Sequence, residues 1–117
     1  MELQVVTISV RSLERSRRFY EEILEFEPEI FYEATRWQSY RLDGRGGFGI
    51  AETPDLERTE NADIINFSVD DVGGLWHRVR HHVDVEEELA MAPWGTYKFV
   101  IRDPDGFRLG FVGEPRG

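Results

Sequence analysis

Cysteine is absent from the 117-residue chain, which removes disulfides, thiolate nucleophiles and every zinc site that needs sulfur ligands. Lysine occurs once, at Lys98, so arginine supplies the rest of the 14 basic residues. Those 14 stand against 23 acidic residues for a formal charge of -9. A charge of that sign repels a phosphate backbone and an anionic membrane surface, and it excludes nucleic acid as the expected partner. Long apolar runs are missing too; none approaches the roughly 20 residues that span a bilayer. The opening Met-Glu-Leu-Gln-Val-Val has no basic n-region and no long apolar h-region, so the expectation is a cytoplasmic protein with no membrane partner. GC-rich coding would give the arginine bias. A salt-adapted host would give both the scarcity of lysine and the acidic excess, and melting across a KCl series separates the two origins.

What is present is a foldable amount of apolar material. Hydrophobic residues make up 40% of the chain, with 8 Phe, 4 Tyr and 3 Trp dispersed along it. That content at this length fits one domain with its own core. In the first segment Val6, Ile8 and Val10 share one strand face, and Val5, Thr7 and Ser9 share the other. Ser12 can cap a helix whose Leu13, Phe19, Tyr20, Ile23 and Leu24 recur at helical spacing until Pro28. Strands are expected over 29–34, 36–42 and 48–52, with Asp43–Gly47 as a glycine-rich turn. Residues 54–62 form a charged linker between a first module, 1–53, and a second, 63–117.

The second module starts the pattern again. Ile65, Phe67 and Val69 alternate with Ile64, Asn66 and Ser68, and Asp70 or Asp71 can cap a helix carrying Val72, Leu75, Trp76 and Val79. Three strands follow, over 84–90, 96–102 and 107–113, the last two joined by the turn Asp103-Pro104-Asp105-Gly106. The order is βαβββ twice over, an internal duplication of α+β class: a curved mixed sheet with helices on its outer face and a concave inner face for a ligand.

This order, with the words Val10-Arg11-Ser12-Leu13-Glu14-Arg15-Ser16 leading to Phe19-Tyr20, Phe67-Ser68-Val69-Asp70-Asp71-Val72, Pro93-Trp94-Gly95 and Ile101-Arg102-Asp103-Pro104-Asp105-Gly106-Phe107, resembles the vicinal oxygen chelate superfamily. That superfamily includes glyoxalase I, bleomycin-resistance proteins and extradiol dioxygenases, and the resemblance covers essentially the whole chain. It implies metal ligands on the inner strand faces. Those positions read Val5, Ile64 and Gly110 here, with Glu52 (or Ile50, since the alignment slides) as the fourth. One carboxylate cannot hold a catalytic divalent ion, which needs three or more protein ligands. The expectation is therefore a metal-free member without cofactor, closest to the bleomycin-resistance type. The resemblance also implies a homodimer.

No catalytic group emerges from the residues themselves. His77 and His81 stand four apart on the second helix, but two ligands make no closed site, and a solvated helix face is expected. Serines and threonines lack a histidine on the sheet, and Gly44–Gly47 lacks the Lys-Ser/Thr of a phosphate loop. The alternation leaves Val5, Thr7, Ile64, Asn66, Arg108, Gly110 and Val112 on the inner face. Trp37, Tyr40, Trp94 and Tyr97 are candidates for aromatic walls. In the expected ligand site Trp37, Trp94 and Tyr97 stack on the ligand while Glu52, Asn66 and Arg108 orient it. Arg108 needs an acid such as Glu52, an anion or the rim. The expected function is binding of an amphipathic or cationic aromatic compound. A metal-dependent lyase, isomerase or dioxygenase with non-standard ligands is the alternative, and a regulatory module with a self-filled cavity a third.

Overall fold

A computed structural model describes residues 1–57 and 63–114. The chain forms two compact units, Met1–Glu57 and Arg58–Gly117. The first contains β1 (Val5–Val10), α1 (Leu13–Arg17) with a π-helical continuation (Arg18–Ile23), β2 (Glu27–Tyr32), β3 (Trp37–Arg41) and β4 (Gly47–Glu52). The second contains β5 (Ile64–Ser68), α2 (Val72–Val79), β6 (Asp84–Met91), β7 (Tyr97–Arg102) and β8 (Arg108–Gly113). The architecture is α+β, a tandem pair of βαβββ modules, each closing its own four-stranded mixed sheet. Strand orders are β1-β4-β3-β2 and β5-β8-β7-β6. In both, the leading strand pairs in parallel with the last one, and the remaining pairs are antiparallel. The helix after the leading strand carries the chain across one face, so that the strand pair it separates ends up parallel.

In the first unit Ser12 accepts from the Arg15 amide and starts α1. The sequence pattern predicts one α-helix through Leu24, but the structure widens it into a π turn from Arg18, with the Leu24 amide bonding the Phe19 carbonyl at 3.1 Å. The wider turn brings two consecutive aromatic residues, Phe19 and Tyr20, into the core together. Tyr20 packs within 5.1 Å of Phe48 and 6.0 Å of Tyr40, ring centre to ring centre. The Tyr40 hydroxyl donates to Glu21 at 2.8 Å, and burial together with that carboxylate holds it well above the usual phenol range. The Tyr40 side chain is thus part of the core, and the residue also borders the hollow beside Trp37.

Pro28 does not end a helical region but lies within β2, which begins at Glu27 rather than at residue 29. It is tolerated because β2 is an edge strand with a register shift between Pro28 and Phe31.

In the second unit Asp71, not Asp70, caps α2 by accepting from the Gly74 amide at 2.9 Å. Trp76 meets Phe99 at 5.1 Å, and Phe99 and Phe67 stack on either side of Phe111. Asp103 shapes the turn into β8: one carboxylate oxygen accepts from the amides of Asp105 and Phe107, at 2.9 and 2.8 Å. Gly106 closes that turn at φ +88°, a conformation costly to any side chain with a Cβ. Helix α2 ends at Val79, so His81 falls outside it, and His77 and His81 do not share a helical face as their spacing predicts; both are exposed. Residues 58–62 of the expected linker lie outside the described residues. No described helix is long and apolar enough to cross a membrane.

Candidate functional site

The strand register equates the two units position by position. Val5 and Thr7 stand beside Gly47 and Gly49, as Ile64 and Asn66 stand beside Arg108 and Gly110. In each sheet one face lies under the helix: Ile8, Val10, Phe48 and Ile50 in the first unit, Leu109, Phe111, Phe99 and Ile101 in the second. Alternation puts the residues between them on the helix-free face. On that face β4 offers only Gly47, Gly49 and Ala51.

The missing side chains make room for Trp37. Its indole lies across Gly49, where a Cβ would come within 2.7 Å of the ring nitrogen, and its Nε1 donates to Thr7 Oγ1 at 3.2 Å. Tyr32 stacks on it, ring centres 5.9 Å apart. The indole is therefore fixed in place by one hydrogen bond and one stack. Beside it opens a hollow of about 490 Å³, bordered by Leu3, Val5, Glu29, Ile30, Trp37 and Ser39. Leu3, Val5 and Ile30 are exposed apolar residues at its wall. Both acids at the hollow have arginine partners: Glu29 stands 3.9 Å from Arg41, and Glu2 is paired with Arg45.

Glu52 sits elsewhere. It alternates with Phe48 and Ile50 and so faces the helix, where Oε2 accepts from the Leu13 amide at 2.8 Å and Oε1 from Arg36 Nε at 3.2 Å. The Leu13 hydrogen bond, reinforced by Arg36, holds its carboxyl below the usual carboxylate range. Arg36, at φ +48°, is fixed in the β2–β3 turn by Glu33 as well. Glu52 is thus occupied at the start of α1, and the suggested pair with Arg108 gives way to separate partners for each residue.

Arg108 finds its acids on β6. Its Nε donates to Glu86 at 2.7 Å, and a second nitrogen stands 3.5 Å from Glu87. Glu86 also pairs with Arg102, the residue opposite Arg108 across β7 and β8. Asn66, exposed, leans over Gly110 on the helix-free face, together with Ile64 and the stem of Lys98. Tyr97 alternates with Phe99 and Ile101, which puts it at the helix-side end of β7, and Trp94 lies 70% exposed in the turn between β6 and β7. Of the six residues named from sequence, the structure thus places Trp37, Asn66 and Arg108 on helix-free faces, Glu52 and Tyr97 on helix sides, and Trp94 on a turn. Sequence reasoning missed the Thr7–Trp37 bond and the hub at Glu86. The recurring glycines of β4 and β8 signal where a neighbouring side chain crosses over; nothing in the sequence marks Glu86 among the three consecutive glutamates of β6.

The register also settles which residue matches Gly110 in the first unit: it is Gly49, not Ile50 or Glu52. The positions that the resemblance assigns to metal ligands thus become Val5, Gly49, Ile64 and Gly110, and none has a side-chain donor atom. Among the described residues no three of His, Asp and Glu gather as a metal centre would need. The donor set does not fit a divalent ion.

Comparison with solved structures bears on the fold. An integron cassette protein from the mobile metagenome of the Halifax Harbour sewage outfall is 26% identical, with a TM-score of 0.80 over 96% of this chain and 97% of its own. A protein of unknown function from Agrobacterium tumefaciens str. C58 is 20% identical at a TM-score of 0.83, covering 98% of this chain and 95% of its own. A lactoylglutathione lyase from Agrobacterium tumefaciens is 17% identical at 0.75, covering 96% and 92%. No functionally curated protein matches the chain. The family model described as the Glyoxalase/Bleomycin resistance protein/Dioxygenase superfamily matches residues 2–111. With that match spanning nearly the whole of both βαβββ modules, the chain belongs to the Glyoxalase/Bleomycin resistance protein/Dioxygenase superfamily.

Proposed function

We propose that this chain is a metal-independent small-molecule-binding member of the superfamily, cytoplasmic and homodimeric, whose ligand is a planar amphipathic compound. The observation that carries the reading is the pinned Trp37 indole beside an open hollow of about 490 Å³ with a mixed apolar and polar lining, within the size range of small-molecule sites. Glycine and aliphatic residues at the family's metal positions support the metal-independent half of it. Sequestration needs no nucleophile or general base, and among the described residues no such constellation stands on the helix-free faces. Trp37 supplies the aromatic wall of this hollow; Asn66, Arg108 and the exposed Trp94 belong to the second unit and are assigned no contact in it. Glu52 and Tyr97 are assigned no ligand contact, because they stand on the helix sides. With the Glu52 carboxylate already committed to α1 and Arg36, a preference for planar cations has lost its acid.

The test is a thermal-shift screen of planar aromatic cations, neutral compounds and carboxylates on the parent, Trp37→Ala and Glu52→Gln. A saturable rise in melting temperature that disappears in Trp37→Ala and persists in Glu52→Gln supports the reading. The absence of any shift from all three classes in all three proteins removes it.

A further inference from the structure

We propose that Asp43-Gly44, in the turn between β3 and β4, is a site of spontaneous isomerisation to isoaspartate, and that the fold protects the chain's other Asp-Gly pair. The inference stands apart from the ligand reading. The chain contains two such dipeptides, Asp43-Gly44 and Asp105-Gly106. Their chemistry sets them apart from other aspartates: glycine has no side chain to hinder attack by its own nitrogen on the preceding carboxyl carbon. Both glycines also hold the left-handed backbone, at φ +85° for Gly44 and +88° for Gly106. A Cβ at either would meet nothing within 4 Å. The two sites thus share residue types and glycine conformation. Burial and hydrogen bonding are what separate them.

Asp43 and Gly44 are both exposed, and among the described residues nothing accepts from the Gly44 amide or pairs with the Asp43 carboxylate. Asp105, by contrast, is 5% exposed. Its amide donates to Asp103 Oδ1, and the Gly106 amide donates to the Asp103 carbonyl, both at 2.9 Å. The nitrogen that would have to attack at Gly106 is therefore already held. The Phe107 amide closes the same turn onto Asp103 Oδ1. At Gly44 the attack breaks no such bond and uncovers no buried atoms.

In the step itself the Gly44 nitrogen bonds to Asp43 Cγ, and the carboxyl OH leaves with the amide proton as water. A second water opens the resulting imide at one of its two carbonyls. Opening at Cγ restores aspartate. Opening at the main-chain carbonyl of Asp43 leaves the chain running through the side chain, one methylene longer. Water is the only co-reactant. The extra methylene falls just before Arg45, Gly46 and Gly47, which border the hollow of the first unit. There Arg45 pairs with Glu2, and Gly46 lies against the Leu3 carbonyl. Isomerisation therefore alters the rim of that hollow.

The test keeps the folded chain warm for weeks at about pH 5.5, where part of the carboxyl population is protonated and can leave as water. A parallel sample is kept unfolded in guanidinium. Both are digested with a protease that cuts before aspartate but not before isoaspartate, and the isomeric peptides are separated and counted by mass spectrometry. In guanidinium both dipeptides should isomerise at similar rates. In the folded chain Asp43 should keep its unfolded rate, while Asp105 slows by about tenfold or more, the weight of one retained hydrogen bond. Asp43→Glu should remove the product at this turn, because the longer side chain would have to close a larger ring. An unchanged melting temperature through the incubation, and in Asp43→Glu, keeps the comparison between folded proteins. Absence of isoaspartate at residue 43 in the folded chain overturns the proposal. So does equal isomerisation of the two sites in the folded chain, or product at this turn that survives Asp43→Glu.

Discussion

Glu52 ties the start of α1 to the β2–β3 turn through its two carboxylate oxygens. A lone acid near the end of a central strand reads as a ligand contact, yet its carboxylate serves the first amide of α1 and the guanidinium of Arg36. Its folded pKa is lowered from the ordinary 4.5, chiefly by the Leu13 amide. A depressed carboxylate stabilises the fold above its unfolded pKa and loses that contribution as pH falls through the folded value. Denaturant melts of parent and Glu52→Gln should therefore differ by a constant amount above about pH 5.5 and converge as pH drops below the ordinary carboxylate range. A gap independent of pH down to about 3 would contradict the assignment. Gly106 makes a second test at this scale. Open space surrounds it, so Gly106→Val suffers only from the backbone at φ +88°. The substitution should cost about 1–3 kcal/mol in chemical denaturation. A melting temperature unchanged from the parent would show that the turn can relax.

At the level of elements, the alternation in β1, β5 and β8 and the capping residue Ser12 were readable, because period-two burial and side-chain caps are local properties. The π turn was not. It arises because Phe19 and Tyr20 are both accommodated in one aromatic cluster with Phe26, Tyr40 and Phe48, a tertiary demand invisible to helical spacing. The same limit hid the end of α2 at Val79, which leaves His77 and His81 exposed and apart from any shared helix face. Replacing both with Ala should leave the melting temperature and the response to any ligand unchanged. Loss of folding in the double variant would show that one of them packs.

The duplicated βαβββ order was legible at the scale of the whole chain, since the hydrophobic pattern repeats although the residues hardly do; the strand orders β1-β4-β3-β2 and β5-β8-β7-β6 come from the structure. The candidate site was only partly so. Faces follow from parity, and parity placed Thr7, Asn66 and Arg108; partners depend on which strands become neighbours, and that gave Arg108 to Glu86 and Trp37 to Thr7. Each sheet also treats its two edges differently. The edge strands β2 and β6 carry Pro28 or several acids, which discourage further pairing, whereas β1 and β5 are free of charge and proline. Unprotected edges of this kind fit the proposed homodimer, and light scattering should give twice the chain mass. A monomer at high micromolar concentration would remove the dimer from the account.

Binding without a metal, as proposed, is tested by calorimetric titration. The strongest aromatic hit of the thermal-shift screen is titrated into protein stripped with EDTA, and into protein supplied with excess Zn²⁺, Mn²⁺ or Fe²⁺. One binding isotherm is expected, with Kd agreeing to within about twofold in every case, because Val5, Gly49, Ile64 and Gly110 give a metal nothing to hold. Binding that disappears in EDTA and returns with one of these ions would contradict it.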